Sequence, residues 1–179
     1  MSKEKKSILE LTRTTTAEYK ETPKLPVAVM TDNLRSAQNI GAIFRTSDAL
    51  LIKEIILAGI SPVPPSKEIS KTALGAEQSV AWRYVKDAVE EVKRLQHQGK
   101  KIIVLEQTHD SIMLQDFRIK DDEEYVLVVG NEVSGVDQKI VDLADYIIEI
   151  PMHGIKHSFN VAVSAGITLW QLYTLLTKC

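Results

Sequence analysis

The sequence predicts an α/β fold with a mostly parallel β-sheet flanked by helices. From residue 25 onward, short runs rich in Val and Ile alternate with helical patterns, which is typical of parallel-sheet domains. These runs have little polar alternation, as expected when helices cover both faces of a sheet. With 179 residues, of which 44% are apolar, the chain can bury one sizeable core. We therefore expect one domain over residues 23–179.

The first 22 residues differ in composition from the rest of the chain. They mix Lys, Glu and Thr around the apolar pair Ile8 and Leu9, and Pro23 and Pro26 then interrupt any helix. We expect residues 1–22 to form an N-terminal arm, either mobile or folded as a short helix.

Five apolar runs predict the strands of the sheet. They lie near residues 26–31, 54–59, 101–106, 125–130 and 145–150.

Two helices are predicted with particular clarity. Residues 87–98 place their apolar side chains on one face, and Gly99 ends that run as a C-terminal cap would. The final helix is apolar on more than one side, because Trp170 and Tyr173 lie away from its main apolar stripe. The stripe comprises Val161, Ala165, Leu169, Leu172 and Leu176. One side should pack on the sheet, and the other meets either a second subunit or more of the same chain.

Composition excludes several classes of protein. The longest apolar runs, such as residues 126–129, are far shorter than the roughly 20 residues of a membrane helix, and no signal peptide pattern follows the N-terminal lysines. We expect a cytoplasmic protein without membrane contact. The single cysteine is Cys179 and the four histidines are scattered, so neither a disulfide nor a metal site is predicted. A net charge of −2 requires any nucleic-acid contact to be local.

Three polar segments lie at predicted strand-to-helix junctions. The first is Asn39-Ile-Gly-Ala-Ile-Phe-Arg45. Because side chains tilt toward a helix N-terminus, Arg45 should pass over Gly41 and leave a slot beside its guanidinium. In isolation, a glycine that permits close helix packing, a solvent-exposed arginine and Asn39 as a local cap explain this segment better.

The second segment is Val128-Val-Gly-Asn-Glu-Val-Ser-Gly135, at the end of a buried strand. Ligands commonly bind at the carboxyl ends of parallel strands, and Gly130 allows close approach there. The glycine pattern matches neither a dinucleotide fingerprint nor a P-loop. Glu132 could hydrogen-bond a ligand or orient a basic partner, or it could be a carboxylate at a helix start.

The third segment is Ile150-Pro-Met-His-Gly-Ile-Lys-His-Ser-Phe-Asn160. Gly154 permits a sharp turn before the final helix. Ser158 could cap that helix or present its hydroxyl to a ligand, and Asn160 could donate and accept hydrogen bonds at once. His153 and His157 lack the partners of a hydrolytic triad and are assigned to the surface.

In order and context, the three segments resemble the motifs of SpoU-type RNA 2'-O-methyltransferases of the SPOUT class, over residues 25–178. Residues 72–77 are similar to a further segment of that family. The resemblance implies a C-terminal trefoil knot, S-adenosylmethionine bound in the knotted loops, and a homodimer with a shared active site. One departure is Phe159, where the family usually has leucine.

The resemblance also implies residue roles, which we carry over by motif position. Arg45 would serve the ribose 2'-hydroxyl, and the site would be completed by Asn39, Glu132, Ser158 and Asn160. The cofactor would lie against Leu105, Glu106, Gly130, Ile150, Met152, Ser158 and Phe159. No metal is implied.

The expected activity is transfer of a methyl group to a ribose 2'-hydroxyl of structured RNA, with tRNA favoured over rRNA. We expect no counterpart of the N-terminal RNA-binding domain of many relatives, so the arm and the dimer surface would select the RNA. One alternative is a non-catalytic RNA-binding or assembly factor that retains the knotted fold. A nucleotide-binding α/β protein of another class is opposed by the missing phosphate-loop glycines.

Overall fold

The chain folds around one seven-stranded sheet, as seen in a computed structural model that describes residues 5, 14–120 and 122–178. Its strands are β1 (Leu25–Asp32), β2 (Ile52–Ala58), β3 (Trp82–Val85), β4 (Lys101–Leu105), β5 (Ile112–Met113), β6 (Tyr125–Val129) and β7 (Tyr146–Glu149). Its helices are α1 (Thr16–Glu21), α2 (Ala37–Ala49), α3 (Lys67–Ala73), α4 (Ala76–Ser79), α5 (Ala88–His97), α6 (Gln138–Leu143) and α7 (Val161–Thr177), with a 3₁₀ turn at Leu114–Asp116.

The strand order is β3-β2-β1-β6-β4-β7-β5, and neighbouring strands pair in parallel. This confirms the predicted α/β class, and all five predicted strands are present. The sequence analysis missed β3 and β5, which have four and two residues and lie at the two edges of the sheet. Strands this short have too few apolar positions to give a periodic pattern.

The register brings the carboxyl ends of the central strands level with one another. Thr31 of β1 pairs with Val129 of β6, Leu105 of β4 pairs with the same Val129, and Ile148 of β7 pairs with Leu105. The loops that follow β1, β6, β4 and β7 therefore emerge side by side at one edge of the sheet. In parallel sheets this is the edge where ligands bind.

Helices cover both faces of the sheet, as the uniformly apolar strands require. Ile40, Phe44 and Leu169 belong to the core between the sheet and α2 and α7, while Val92 and Ile140 belong to the core under α5 and α6. Of the helices in the described part of the chain, none is long and apolar enough to cross a membrane.

Both predicted helices are present. Helix α5 begins after Asp87, whose Oδ1 accepts a hydrogen bond from Glu90 N (3.0 Å), and Gly99 has a φ of 82°, as a C-terminal glycine cap requires. Helix α7 buries the predicted stripe against the sheet, but its outer face is uncovered, with Val163 51% exposed and Trp170 57% exposed. Within the part of the chain that the structure describes, double-sided burial is therefore wrong for this helix.

The N-terminal arm lies partly outside the described residues, which exclude 1–4 and 6–13. The remainder contains α1, which starts with a capping box. Thr15 Oγ1 accepts a hydrogen bond from Glu18 N (3.2 Å), and Glu18 Oε2 accepts one from Thr15 N (2.7 Å). The helix packs Tyr19 into the larger core.

Gly41 allows α2 and α3 to pack closely. A Cβ built at this position would lie 2.3 Å from the backbone oxygen of Ile69 and 2.1 Å from Thr72 Oγ1. The predicted slot beside the Arg45 guanidinium is therefore wrong at Gly41, because α3 fills that space. Close helix packing was the alternative explanation for this glycine, and it is the correct one.

Replacing Gly41 by alanine should lower the free energy of unfolding by about 1–3 kcal/mol, because the new methyl group meets backbone atoms that cannot move independently. Urea denaturation followed by circular dichroism measures the change. Gly166→Ala is the matched control, since the nearest atom to its Cβ is Thr46 Cγ2 at 3.9 Å. That variant should be unchanged or up to about 1 kcal/mol more stable, because alanine favours helix. Equal stability of the two variants would contradict the packing argument.

Candidate active site at the carboxyl edge of the sheet

The loops after β4, β6 and β7 enclose a cavity of about 490 Å³ at the carboxyl edge of the sheet. The cavity brings together the residues to which a cofactor-binding role was carried over. Its lining includes Leu105, Glu106, Gly130, Ile150, Met152, Ser158 and Phe159, together with Glu132 and Asn160. The loops after β4, β6 and β7, which are distant in sequence, thus contribute to one concave surface.

A chain of hydrogen bonds joins the three polar segments. Asn160 Nδ2 donates to Asn39 Oδ1 (3.1 Å), and Asn39 Nδ2 donates to Glu132 Oε1 (3.0 Å). In this series of hydrogen bonds, the amide nitrogen of each asparagine donates to the next residue. The orientations of both side-chain amides are therefore fixed. Asn39 does not line the cavity itself, but this chain connects it to two residues that do.

The Glu132 carboxylate lies at the N-terminus of α2. Its Oε2 accepts a hydrogen bond from Arg35 N (3.0 Å) and its Oε1 accepts one from Ser36 N (3.0 Å). Glu132 is thus a helix-start carboxylate for a helix almost a hundred residues earlier in the chain. Burial alone would raise the pKa of Glu132, but these donors and the Asn39 amide outweigh it and hold the pKa below its usual value.

Gly130 and Gly135 let the loop after β6 fold back on itself. Asn131 and Gly135 exchange two backbone hydrogen bonds of 2.9 Å, and a Cβ on Gly130 would lie 2.2 Å from Gly135 C and 2.2 Å from Val136 N. Gly135 has a φ of 69°, and a Cβ there would lie 2.2 Å from Glu106 Oε2. Gly130 is therefore required by the loop's own path as well as by its place in the cavity wall.

Asn131 lines the cavity, and the sequence analysis did not single it out. It is 9% exposed, its Nδ2 donates to Asn33 O (2.7 Å), and its Oδ1 accepts from Val133 N (2.9 Å) and Ser134 N (3.2 Å). The side chain therefore fixes the loop after β6 against the loop after β1. An asparagine directly after a strand-end glycine is the usual signal of such a turn.

Asn160, and not Ser158, caps the final helix. Asn160 Oδ1 accepts hydrogen bonds from Ala162 N (2.9 Å) and Val163 N (3.3 Å). The prediction that Ser158 could be the cap is wrong, and its exposed side chain lies in the cavity lining. His153 and His157 are exposed, as assigned, and the His157 backbone oxygen accepts a hydrogen bond from Gln107 Nε2 (3.2 Å).

Arg45 is exposed on α2 and is not part of the cavity lining. It lies six residues beyond Asn39, which is about 9 Å along the helix axis. Within a single chain, the structure does not bring Arg45 together with the other predicted catalytic residues. Among residues 14–120 and 122–178, no group of three His, Cys, Asp or Glu side chains is arranged to bind a metal ion.

Residues 26–170 match the model of the SpoU rRNA Methylase family. The chain belongs to this family. The predicted resemblance is thereby confirmed, and the parallel sheet agrees with the fold of solved SpoU structures. The trefoil knot implied by the resemblance stays a prediction.

Several RNA-modifying enzymes are similar to this SpoU family chain. The 23S rRNA (guanosine-2'-O-)-methyltransferase RlmB of Vibrio vulnificus is 30% identical over 82% of this chain and 58% of its own length. The TrmH/SpoU tRNA modifying enzyme of A. aeolicus has a TM-score of 0.78 and 28% identity, over 89% of this chain and 79% of that one. An AdoMet-bound rRNA methyltransferase from Sinorhizobium meliloti has a TM-score of 0.76 and 25% identity, over 86% and 58%.

The SpoU family chain spans about three fifths of the length of the first curated relatives that it matches, between 58% and 61%. The matched part contains all three polar segments.

Glu132→Gln should destabilise this SpoU family protein by about 1 kcal/mol at neutral pH, a value reduced for the exposure of the side chain. The amide keeps one acceptor oxygen where the carboxylate receives three donors. Because the pKa of Glu132 is lower in the folded than in the unfolded state, its contribution is complete above the unfolded value of about 4.3 and is lost as the pH falls through the folded value.

Urea denaturation between about pH 7 and pH 3 tests this, and the two proteins should converge at the acid end. Glu90→Gln serves as control, because Glu90 forms only an exposed ion pair with Lys93 (2.8 Å) and should change stability by less than about 0.5 kcal/mol. A difference between wild type and Glu132→Gln that does not depend on pH would contradict the assignment.

Proposed function

We propose that this protein transfers a methyl group from S-adenosylmethionine to a ribose 2'-hydroxyl in structured RNA. The observation that carries the proposal is that the second and third family segments line one cavity, while the first segment is joined to both through Asn39, which bonds Asn160 and Glu132. We favour tRNA as the substrate, because in structural superposition the chain covers 79% of the A. aeolicus tRNA modifying enzyme but 58% of the Sinorhizobium rRNA methyltransferase. Such an enzyme would act in the cytoplasm.

The cavity suits S-adenosylmethionine in size and in chemistry. A volume of about 490 Å³ lies in the usual range for sites that bind small-molecule cofactors. Leu105, Ile150 and Phe159 provide apolar walls for a purine ring, while Ser158 and the backbone around Gly130 provide polar groups. When bound, the cofactor supplies an electrophilic methyl group on a sulfonium.

The residues of the chain then have two tasks, which are alignment and management of charge. A ribose hydroxyl is a weak acid. Negative charge develops on its oxygen as the hydroxyl proton passes to solvent, and this charge is neutralised when the oxygen forms the new C–O bond and the methyl group leaves the sulfonium, whose sulfur keeps the bonding electron pair. A guanidinium has a pKa above 12 and is a poor base, so we assign Arg45 to donate hydrogen bonds to this developing alkoxide. Asn160 and Asn39, fixed by Glu132, orient the ribose.

We further propose a homodimer in which one copy's Arg45 completes the cavity of the other. Two observations support this: Arg45 does not line the cavity of its own chain, and the outer face of α7 is apolar and is not covered by any other described segment. That face includes Val163, Ile167 and Trp170, and Trp170 stacks on Tyr173 with ring centroids 5.4 Å apart. Helix α2 packs directly beside α7, so the same interface would include the helix that carries Arg45.

Incubation with tritiated S-adenosylmethionine and separate unmodified tRNA and rRNA fractions tests the activity. We expect label in one fraction, located on a ribose by nuclease digestion. Arg45→Ala should lower kcat by about a hundredfold or more with cofactor affinity unchanged, because it removes a donor to the transition state. Arg45→Lys should restore part of the rate, since one donor returns without the bidentate geometry.

Two results would contradict these assignments. Full methyl transfer by Arg45→Ala would remove Arg45 from the mechanism. No transfer to any RNA, with S-adenosylhomocysteine binding intact, would favour a non-catalytic RNA-binding factor with the same fold.

Trp170→Glu should shift the protein from dimer to monomer in sedimentation velocity at micromolar concentration, because it buries a charge in the proposed interface. The monomer should transfer no methyl group, even where it still binds the cofactor. Mixed dimers of Arg45→Ala and Gly130→Ala chains test site sharing, and they should recover up to about a quarter of wild-type activity. A fully active Trp170→Glu monomer would contradict the shared site.

A further inference from the structure

Beyond the cavity, the carboxyl edge of the sheet bears an exposed row of two cations and two apolar side chains. The row consists of Arg35, Ile60, Tyr84 and Lys86, which we call the edge ridge. Ile60 is 64% exposed and Tyr84 is 49% exposed, and both cations are exposed. Neither apolar residue belongs to either core, so folding of the chain does not account for them.

Hydrogen bonds between the supporting loops fix the shape of the edge ridge. Ile60 N donates to Asn33 Oδ1 (3.1 Å), Gly59 N donates to Val85 O (3.1 Å), and Tyr84 Oη donates to Gly59 O (3.1 Å). Asn33 has a φ of 53°, which turns the chain after β1 toward this loop. Ile60 thus lies between the loop of Arg35 and the strand end of Tyr84 and Lys86.

The edge ridge begins where the cavity ends. Arg35 N donates to Glu132 Oε2 (3.0 Å), and Glu132 lines the cavity. A polymer that leaves the cavity mouth beside Glu132 toward Arg35 would next reach Ile60 and Tyr84. This continuity distinguishes the edge ridge from the uncovered face of α7.

Two carboxylates near the edge ridge accept hydrogen bonds from other parts of the fold. Asp87 Oδ1 caps α5 through Glu90 N (3.0 Å). Asp32 is 2% exposed and accepts hydrogen bonds from Asp137 N (2.8 Å) and Asn33 Nδ2 (2.8 Å). Among residues 14–120 and 122–178, no carboxylate forms an ion pair with Arg35 or Lys86, so both cations can bind the phosphates of a polyanion.

We propose that the edge ridge binds an unpaired RNA strand that flanks the target nucleotide, with a base stacked on Tyr84 against Ile60. Arg35 and Lys86 bind the phosphates on either side of that base. Exposed aromatic rings between cations bind single strands in this way, because every base has a face that can stack. This inference rests on the proposed function, and it adds a substrate feature, namely an unpaired nucleotide near the methylated one.

Fluorescence anisotropy with a labelled, unpaired RNA oligonucleotide of mixed sequence tests the edge ridge without requiring methyl transfer. Tyr84→Ala should weaken binding by about five- to a hundredfold, the usual effect of removing one stacking ring. Tyr84→Phe should bind within about twofold of wild type, because it loses only the hydroxyl that contacts Gly59 O and keeps the ring that stacks. Lys86→Ala should reduce the slope of log affinity against log salt by about 1.

Lys93→Ala is the matched control for Lys86→Ala, because it removes one exposed positive charge from α5, away from the edge ridge, and should leave the slope unchanged. Unaltered circular dichroism and S-adenosylhomocysteine affinity show that Tyr84→Ala is folded. Wild-type affinity in Tyr84→Ala, or equal loss in Tyr84→Phe, would overturn the proposal. RNA binding that depends on Tyr84 in a protein without methyl transfer would support the edge ridge and overturn only the catalytic assignment.

Discussion

The site depends on the Glu132 carboxylate at the start of α2. It accepts two backbone N–H groups and the Asn39 amide, so it fixes the loop after β6 against the beginning of a helix that follows β1. Asn39 in turn orients Asn160, which caps α7. One ionised group therefore determines the relative position of three loops. Charge-assisted hydrogen bonds are suited to this role, because they are shorter and stronger than neutral ones.

The backbone of the loops depends on a second constraint, which is the absence of side chains at two glycines. Gly130 and Gly135 let the loop after β6 return within van der Waals distance of itself and of Glu106. The Glu106 carboxylate then accepts hydrogen bonds from Gln107 N (2.9 Å) and Val136 N (3.0 Å). The loop after β6 thus contributes backbone to the cavity wall, and the Glu106 carboxylate holds part of that backbone in place.

The fold class and the central strands could be predicted from the sequence. Because β6 and its neighbours are buried on both faces, they appear in the sequence as unbroken apolar runs. The sequence analysis missed β3 and β5, where too few residues pair to leave a pattern. Among site residues, the cavity lining followed from family motifs, but the Glu132 contacts could not be predicted, since they join positions almost a hundred residues apart. The expected slot beside Arg45 was wrong because α3, which packs against Gly41, is distant in sequence and no local pattern encodes that contact.

Titration of S-adenosylhomocysteine into wild type and Gly130→Ala by isothermal calorimetry tests the central claim most directly. The account predicts one site per chain in wild type, competition by S-adenosylmethionine but not by NAD or ATP, and at least about tenfold weaker binding in the variant, because its methyl group would meet Gly135 and Val136. Equal affinity in the two proteins, or wild-type binding of NAD in place of S-adenosylhomocysteine, would contradict the assignment of this cavity.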